Sequence, residues 1–468
     1  MSHRAGKGLL AETRRLHFVG VGGAGMSGIA ELSVRLGFAV SGCDLRQSAT
    51  TARLAAVGVK IAIGHDPAHV NRDLSAVVFS SAVSDTNPEL VAAREFGVPL
   101  IPRAEMLGEL LRLARFGIAI AGAHGKTTTT FLVATILEHA GLDPTVAVGG
   151  NLRSSGTNVR LGSGEVMVAE ADESDASFLL LLPTVALVTN IDAEHLDHYG
   201  TTERVREAFF SFVNRVPFYG FAVLGIDSPH VRAVRAAVRK RAVTYGVASD
   251  ADFRALDIEI DGPRTEFTVL EHGRHLGRVS VPLPGTHVAL NALGAIALTR
   301  EMGIDFETAA QALARFPGIS RRFELKGEAQ GRLFLDDYAH HPAEIRATLA
   351  AARAAFRRPL VVIFQPHRYT RLRDLFGDFV NAFEDADRLY LLDVYAAGET
   401  PIIGINSRAL YDALIQRGRP PTRYLNGTAQ GAEQVAGESA AGDLIVTLGA
   451  GDVYLLGEAV LETLRTKA

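Results

Sequence analysis

An α/β protein of three domains is what this sequence predicts, on three observations. The chain has 468 residues, about three times the usual domain length of ~150. Three segments open on apolar, strand-like runs: LHFVGVGG, FGIAIAGAHG and, past Phe323, RLFLDDY. Each run is followed by alternating strand-like and helix-like stretches, the order that builds mostly parallel sheets covered by helices. The expected domains are residues 1–113, 114–321 and 322–468.

Bulk numbers narrow the class. Hydrophobic residues make up 47% and charged residues 21%, so each domain can bury an ordinary core. A formal net charge of −4 carries no basic bias, which argues against a nucleic-acid binder held by bulk electrostatics. Cys43 is the single cysteine, which excludes an intrachain disulfide and a multi-cysteine zinc site and fits a reducing, cytoplasmic setting. The first residues, MSHRAGKGLLAETRRLH, lack a signal-peptide core. The most apolar later run, FLLLLPTVALVTNI, is broken by Pro183 and falls short of the ~20 residues a membrane helix needs. The expectation is a cytoplasmic protein with no membrane insertion and no nucleic-acid partner.

In the first segment, Gly20, Gly22 and Gly25 follow an apolar run in the spacing G-x-G-x-x-G, and Asp44 ends the next run, FAVSGCD. This is the fingerprint of a βαβ unit whose helix N-terminus holds a diphosphate. The pattern alone leaves open whether the ligand is a nicotinamide dinucleotide or another diphosphate. SAVVFSSAV supplies a further strand.

In the second segment, GIAIAGAHGKTTTT reads as strand, glycine turn and helix start. Gly122 and Gly125 let the backbone approach phosphate oxygens, while successive N–H groups and the helix terminus supply positive charge. Lys126 is placed for the terminal phosphates and Thr127 for Mg²⁺. Because Ile120 stands six residues before Lys126, the loop is a shortened form of the common phosphate loop. EADESDASF then sets Glu170, Asp172, Glu173 and Asp175 after one strand. TNIDAEHLDHY sets Asn190, Asp192, Glu194, His195, Asp197 and His198 after another. In a parallel sheet all three strand ends meet at one edge, so a shared Mg–ATP site is expected. The later stretch 251–285 alternates polar and apolar residues, with turns at Gly262-Pro263 and His272-Gly273, and reads as a small antiparallel sheet. A helix follows from about Ala289 to Met302.

The third segment carries DDYAHHPAEI, a helix from Pro342 to Phe356, and FQPHRYTRLRDLF, where His367, Arg368, Arg371 and Arg373 crowd together. Paired arginines suit carboxylate or phosphate. GISRRFE places two arginines at the junction of the second and third segments, where a hinge could bring one onto the ATP phosphates.

Taken in order, HFVGVGGAGMSGIAE, GAHGKTTTT, EADESDASF, TNIDAEHLDHY, RRFE, DDYAHHP and FQPHRYTR resemble the Mur ligases of peptidoglycan synthesis. The resemblance implies Rossmann-like first and third domains around a central P-loop ATPase-like domain. It implies ATP-dependent joining of L-alanine to the muramoyl carboxylate of UDP-N-acetylmuramate through an acyl phosphate, with ATP and Mg²⁺. A monomer or homodimer is expected. The glycine loop would then hold a UDP-sugar, through Gly22, Ala24, Gly25, Asp44, Ser80 and Ser81.

By the same resemblance, Gly122, Ala123, His124, Gly125, Lys126, Thr127 and Thr128 cradle ATP, with Asn291 near the adenine. Arg322 reaches the phosphates on closure, and Lys126, Glu170, His195 and Arg322 form the catalytic set. Thr127, Glu170 and His195 match metal ligands, and Tyr338, His340, Arg368 and Arg371 surround the incoming alanine. There are departures. Ala123 stands where the family has threonine, and Val288 where an asparagine is common. No lysine lies between Lys126 and Lys240, so an acid or water must complete a second metal shell that relatives complete with a carbamoylated lysine. The proton of the attacking amine could go to His195, His198 or a nearby carboxylate.

Overall fold

A computed structural model describes residues 15–80, 82–149, 159–425 and 427–466. They form two compact units, one running up to Phe253 with Gly294–Ala309, the other Arg254–Leu293 with the chain from Ala310 on. Three α/β domains are strung along the chain.

The N-terminal domain comprises β1 (Arg15–Val19), α1 (Ala24–Arg35), β2 (Ala39–Asp44), α2 (Ala49–Ala56), β3 (Lys60–Ile63), β4 (Ala76–Phe79), α3 (Pro88–Phe96), β5 (Leu100–Pro102) and α4 (Arg103–Leu113). Its strands lie in the order β3-β2-β1-β4-β5 and all run parallel. The order reverses between β1 and β4, the switch point where such sheets open a ligand crevice. Side-chain caps start two of the helices: Ser48 closes a capping box with Thr51, and Asn87 accepts from Glu89 N ahead of Pro88.

The central domain follows with β6 (Phe116–Ala121), α5 (Lys126–His139), β7 (Thr145–Ala147), β8 (Val159–Arg160), β9 (Val166–Glu170), β10 (Val185–Val188), α6 (Leu196–Tyr199), α7 (Thr202–Asn214), β11 (Phe221–Gly225), α8 (Pro229–Ala237) and β12 (Ala242–Gly246). The strands are ordered β12-β11-β10-β6-β9-β7-β8, parallel except for β8. β10 and β11 are buried along their whole length, which is why they read as unbroken apolar runs. Because β6 lies between β9 and β10, the turn after β6 is flanked by the ends of both.

The second unit holds β13 (Phe253–Asp261) beyond its first residue, β14 (Arg264–Glu271) and β15 (Arg274–Val281). β14 and β15 pair antiparallel around His272 (φ 49°) and Gly273 (φ 81°), the two left-handed residues a tight hairpin turn takes. Both predicted turns fall between these strands. Two helices follow, α9 (Thr286–Glu301) and α10 (Phe306–Ala314). α9 starts three residues before the predicted Ala289.

The C-terminal domain contains β16 (Glu324–Ala329), β17 (Arg332–Asp337), α11 (Pro342–Phe356), β18 (Leu360–Phe364), α12 (Tyr369–Asp374), α13 (Phe376–Val380), β19 (Arg388–Leu391), α14 (Ser407–Arg417), β20 (Thr422–Tyr424), α15 (Thr428–Glu438), β21 (Leu444–Leu448) and α16 (Val453–Thr466). Its sheet is mixed, in the order β16-β17-β21-β18-β19-β20, with only β16 antiparallel. α11 has the predicted bounds because His341 caps it, Glu344 completes the box and Pro342 takes the first turn. Among the described residues, no helix is long and apolar enough to cross a membrane.

Candidate functional site

The turn after β6 is held open from behind. Gly122 has φ 139°, and a Cβ there would sit 2.0 Å from Thr189 Oγ1. Thr189 donates to His124 O (2.6 Å), while Asn190 accepts from His124 N (2.8 Å) and donates to His124 O (3.0 Å). The chain after β10 therefore clamps residues 122–125 from one side. Gly125 (φ 81°) leads straight into α5, so the helix begins at Lys126 with its N–H groups facing the turn.

Lys126 Nζ donates to Glu173 Oε1 (2.7 Å) and to the carbonyls of Gly122 (2.6 Å) and Ala123 (3.2 Å). Burial works against its ammonium, but the charges of Glu173 and Glu170 outweigh that and hold its pKa above the usual lysine value. Burial pushes Glu173 up to about 7 despite the pull of Lys126. Thr127 Oγ1 donates to Glu170 Oε2 (3.0 Å). His195, with φ 56°, turns its Nε2 to within 3.8 Å of both Glu173 Oε1 and Glu194 Oε2. His124 Nε2 lies 3.3 Å from Glu194 Oε1. Three strand ends thus bring Lys126, Thr127, Glu170 and His195 together, as expected from sequence. Glu173 and Glu194, which the sequence marks only as members of acidic runs, are the groups His195 faces.

The residues present fit a divalent cation. Thr127 and Glu170 meet directly, and Glu173 Oε2 is buried with no hydrogen-bond partner among the described residues. Glu173, Glu194 and His195 place their ligating atoms within 4.8 Å of one another.

The glycine loop of the N-terminal domain adjoins this site. Cys43 O accepts from Gly20 N and Val21 N (both 2.9 Å), and Asp44 Oδ2 accepts from Gly22 N (2.8 Å). Asp44 is thus engaged with its own loop. Ala24 and Gly25 open α1, and a Cβ on Gly25 would meet Arg103 Cδ at 2.9 Å. Ser80 follows β4 and accepts from Ala82 N (3.3 Å); Ser81 lies outside the described residues. A cavity runs from Gly25 and Ile29, past Arg103, to Glu170 and Asp172. It joins the glycine loop to the acidic end of β9. Arg103, a cation on its wall at the start of α4, was not singled out from the sequence.

In the second unit, the two junction arginines differ. Arg321 donates to Asp336 Oδ2 (3.1 Å), Gly451 O (2.9 Å) and Gly449 O (2.6 Å), and is committed to the fold. Arg322 lies over the Tyr338 ring, 5.2 Å from its centroid. His340 and His367 meet edge to face, with centroids 5.7 Å apart. Burial lowers His340 to about 3 and, with Arg371 and Arg368 beside it, His367 to about 4, so both are neutral at pH 7. Arg371 accordingly donates to His367 Nδ1 (3.2 Å). Arg368 sits at φ 69°, its N–H bound to Tyr395 O (2.9 Å). Asn291, on α9, is buried.

Asp337, at the end of β17, was not singled out from the sequence. It accepts from Phe323 N (2.7 Å) and Ala339 N (2.8 Å), which holds Arg322 and Tyr338 in their turns. Burial raises its pKa from 3.8 to about 6. An acid whose folded pKa is raised holds its proton longer in the native state, so its contribution to stability falls as pH climbs from about 4 to about 6. The stability difference between the parent and Asp337→Asn should therefore shrink by up to about 3 kcal/mol over that interval, read from urea midpoints at each pH.

A phosphate loop set among acids, beside a glycine-loop domain and followed by an arginine-bearing α/β domain, defines a nucleoside-triphosphate-using α/β enzyme. The chain belongs to the Mur ligase family. Residues 15–115 match the Mur ligase family catalytic domain, 120–299 the Mur ligase middle domain and 321–451 the Mur ligase glutamate ligase domain. It is 53% identical over 450 residues to a UDP-N-acetylmuramate–L-alanine ligase of Anaeromyxobacter dehalogenans, covering 96% of this chain and 98% of that one. Identity to the protein of that name from Pelobacter propionicus is 50% over 458 residues, covering 97% and 99%. Among solved structures, UDP-N-acetylmuramate–alanine ligase MurC of Thermotoga maritima superposes with a TM-score of 0.79 at 29% identity, covering 97% and 100%. A murein peptide ligase of Psychrobacter arcticus does so with 0.68 at 25%, covering 96% and 98%.

Proposed function

We infer that this enzyme joins L-alanine to the muramoyl carboxylate of UDP-N-acetylmuramate in the cytoplasm, cleaving ATP to ADP and phosphate, as a step of peptidoglycan precursor synthesis. The observation that carries the reading is the cavity linking the glycine loop at Gly25 to Glu170 beside the phosphate loop. A sugar nucleotide held by its diphosphate at α1 would direct its far end toward the γ-phosphate of ATP.

Carboxylates are poor electrophiles, so the acid attacks the γ-phosphorus and becomes an acyl phosphate. Two anions meet in that step, and positive charge must be in place beforehand. Lys126 and the N–H groups of residues 125–127, at the start of α5, supply it. Thr127 and Glu170, with His195 and Glu194 for a second ion, are the residues that would hold Mg²⁺, which neutralises phosphate charge when bound. The pull of Glu173 keeps Lys126 ionised until the phosphates take its place. The amine of alanine then attacks the acyl carbon and phosphate leaves. Arg368 and Arg371 are assigned to the alanine carboxylate, Tyr338 and His340 to its surroundings, Arg322 to the phosphates and Asn291 to the adenine.

Phosphate release should require both UDP-N-acetylmuramate and L-alanine in a coupled assay. Release without either, or ligation of a tripeptide in place of alanine, would overturn the assignment. Arg368→Ala should remove a charge-assisted contact of about 1.5–3 kcal/mol, lowering kcat/KM for alanine roughly 10- to 150-fold. KM for ATP should stay within about twofold, since the lost contact is not to the nucleotide.

A further inference from the structure

A second cluster of ligating side chains lies in the N-terminal domain, apart from the phosphate-loop acids. The Glu89 carboxylate, on α3, is fully buried. Cys43 Sγ, on β2, donates to its Oε2 at 2.8 Å. His65 Nδ1 lies 3.1 Å from Oε2, His69 Nδ1 2.5 Å from Oε1 and His17 Nε2, on β1, 3.7 Å from Oε1. The ligating atoms of His17, Cys43, His69 and Glu89 all fall within 4.8 Å of one another.

His17 shows what the cluster lacks. Its Nδ1 is 2.9 Å from Ser41 Oγ, whose hydroxyl reaches Leu16 O at 3.4 Å. In the neutral ring Ser41 then accepts from Nδ1–H, which puts the lone pair on Nε2. That atom is buried, 2% exposed for the side chain, with no hydrogen-bond partner among the described residues. A lone pair aimed at a carboxylate oxygen is repulsive; a cation between them satisfies both. The Ser41 contact is also the outer-shell hydrogen bond that orients a metal-binding imidazole.

We propose that His17, Cys43, His69 and Glu89 bind one divalent ion of the zinc type, a structural brace behind the glycine loop. Two nitrogens, one sulfur and one carboxylate oxygen are a four-coordinate zinc set and a poor one for Mg²⁺ or Ca²⁺. On binding, the ion displaces the Cys43 thiol proton to solvent; thiolate and carboxylate then balance its two positive charges, so the buried unit is neutral. The brace acts on the loop through the backbone, because Cys43 O receives both Gly20 N and Val21 N.

The test uses the purified full-length protein with excess Mg²⁺ to fill the phosphate-loop acids. After loading with Zn²⁺ and dialysis, about one zinc per chain should remain by elemental analysis. Cys43→Ser and His69→Ala should each cut the retained zinc by about tenfold or more. Loading with Co²⁺ gives a second readout. Cys43 is the sole cysteine, so a sulfur-to-cobalt charge-transfer band can arise nowhere else. The band is expected in the parent protein and absent from Cys43→Ser. A parent protein that retains no zinc, or that binds cobalt without the sulfur band, overturns the proposal whether or not the variants fold.

Discussion

Lys126→Ala is expected to lower ATP-dependent ligation by about 10³-fold, roughly 4 kcal/mol of transition-state stabilisation. Binding of the sugar nucleotide should stay within about twofold, because the glycine loop is built by β1, α1 and Asp44 without contribution from Lys126. The variant should still fold, for a reason visible in its partner. Losing the ammonium leaves Glu173 buried without a cation, normally a severe penalty. Burial already pushes Glu173 up to about 7 with the lysine present, so without it the carboxyl takes a proton at neutral pH and the buried charge disappears. A raised acid pKa also fixes the sign of the pH effect: the variant should lose stability relative to the parent as pH rises above about 7. Single-turnover ligation and isothermal titration with the sugar nucleotide separate the two arms. Near-normal turnover would remove Lys126 from the chemistry.

The parts of this molecule that could be read in advance are those governed by local physics. Pro342 with His341 and Glu344 defines the start of α11, and the Gly262-Pro263 and His272-Gly273 pairs define two turns. The unbroken apolar runs of β6, β9, β10 and β11 announce a sheet buried on both faces. β3 (KIAI), β5 (LIP), β7 (TVA) and β20 (TRY) were not anticipated, since three or four residues are too few to show a period. Lys126 and Thr127 were recognisable from the strand, glycine turn and helix start around them, whereas Glu170 and His195 stood out from their acidic runs only through the resemblance to the Mur ligases. Glu173 as the partner of Lys126, Asp44 as an acceptor for Gly22 and the Glu89 cluster depend on packing between elements far apart in the chain. No spacing rule links residues 17, 43, 69 and 89; the fold of β1, β2 and α3 does.

Gly122→Ala should disable the enzyme without removing any functional group. Two effects combine. At φ 139° an L-residue is strained by about 1–3 kcal/mol. The new methyl would also lie 2.0 Å from Thr189 Oγ1 and 3.0 Å from Asn190 O, where no Cβ fits. The second contact is to backbone and cannot swing away, so the turn must move off the end of β10. That movement breaks the His124 bonds to Thr189 and Asn190, which shape the loop that receives the triphosphate. Loss of ATP affinity by about 10²-fold or more is expected, with total destabilisation of about 3–5 kcal/mol. A double-mutant cycle tells strain from collision. Thr189→Ala removes the hydroxyl the methyl strikes, so Gly122→Ala should be less costly in that background, while the φ penalty and the Asn190 contact persist. Partial rescue of ATP binding is therefore the expected result. Full rescue would mean the left-handed backbone at residue 122 is dispensable, and no rescue would mean that the collision with Thr189 is not what displaces the loop.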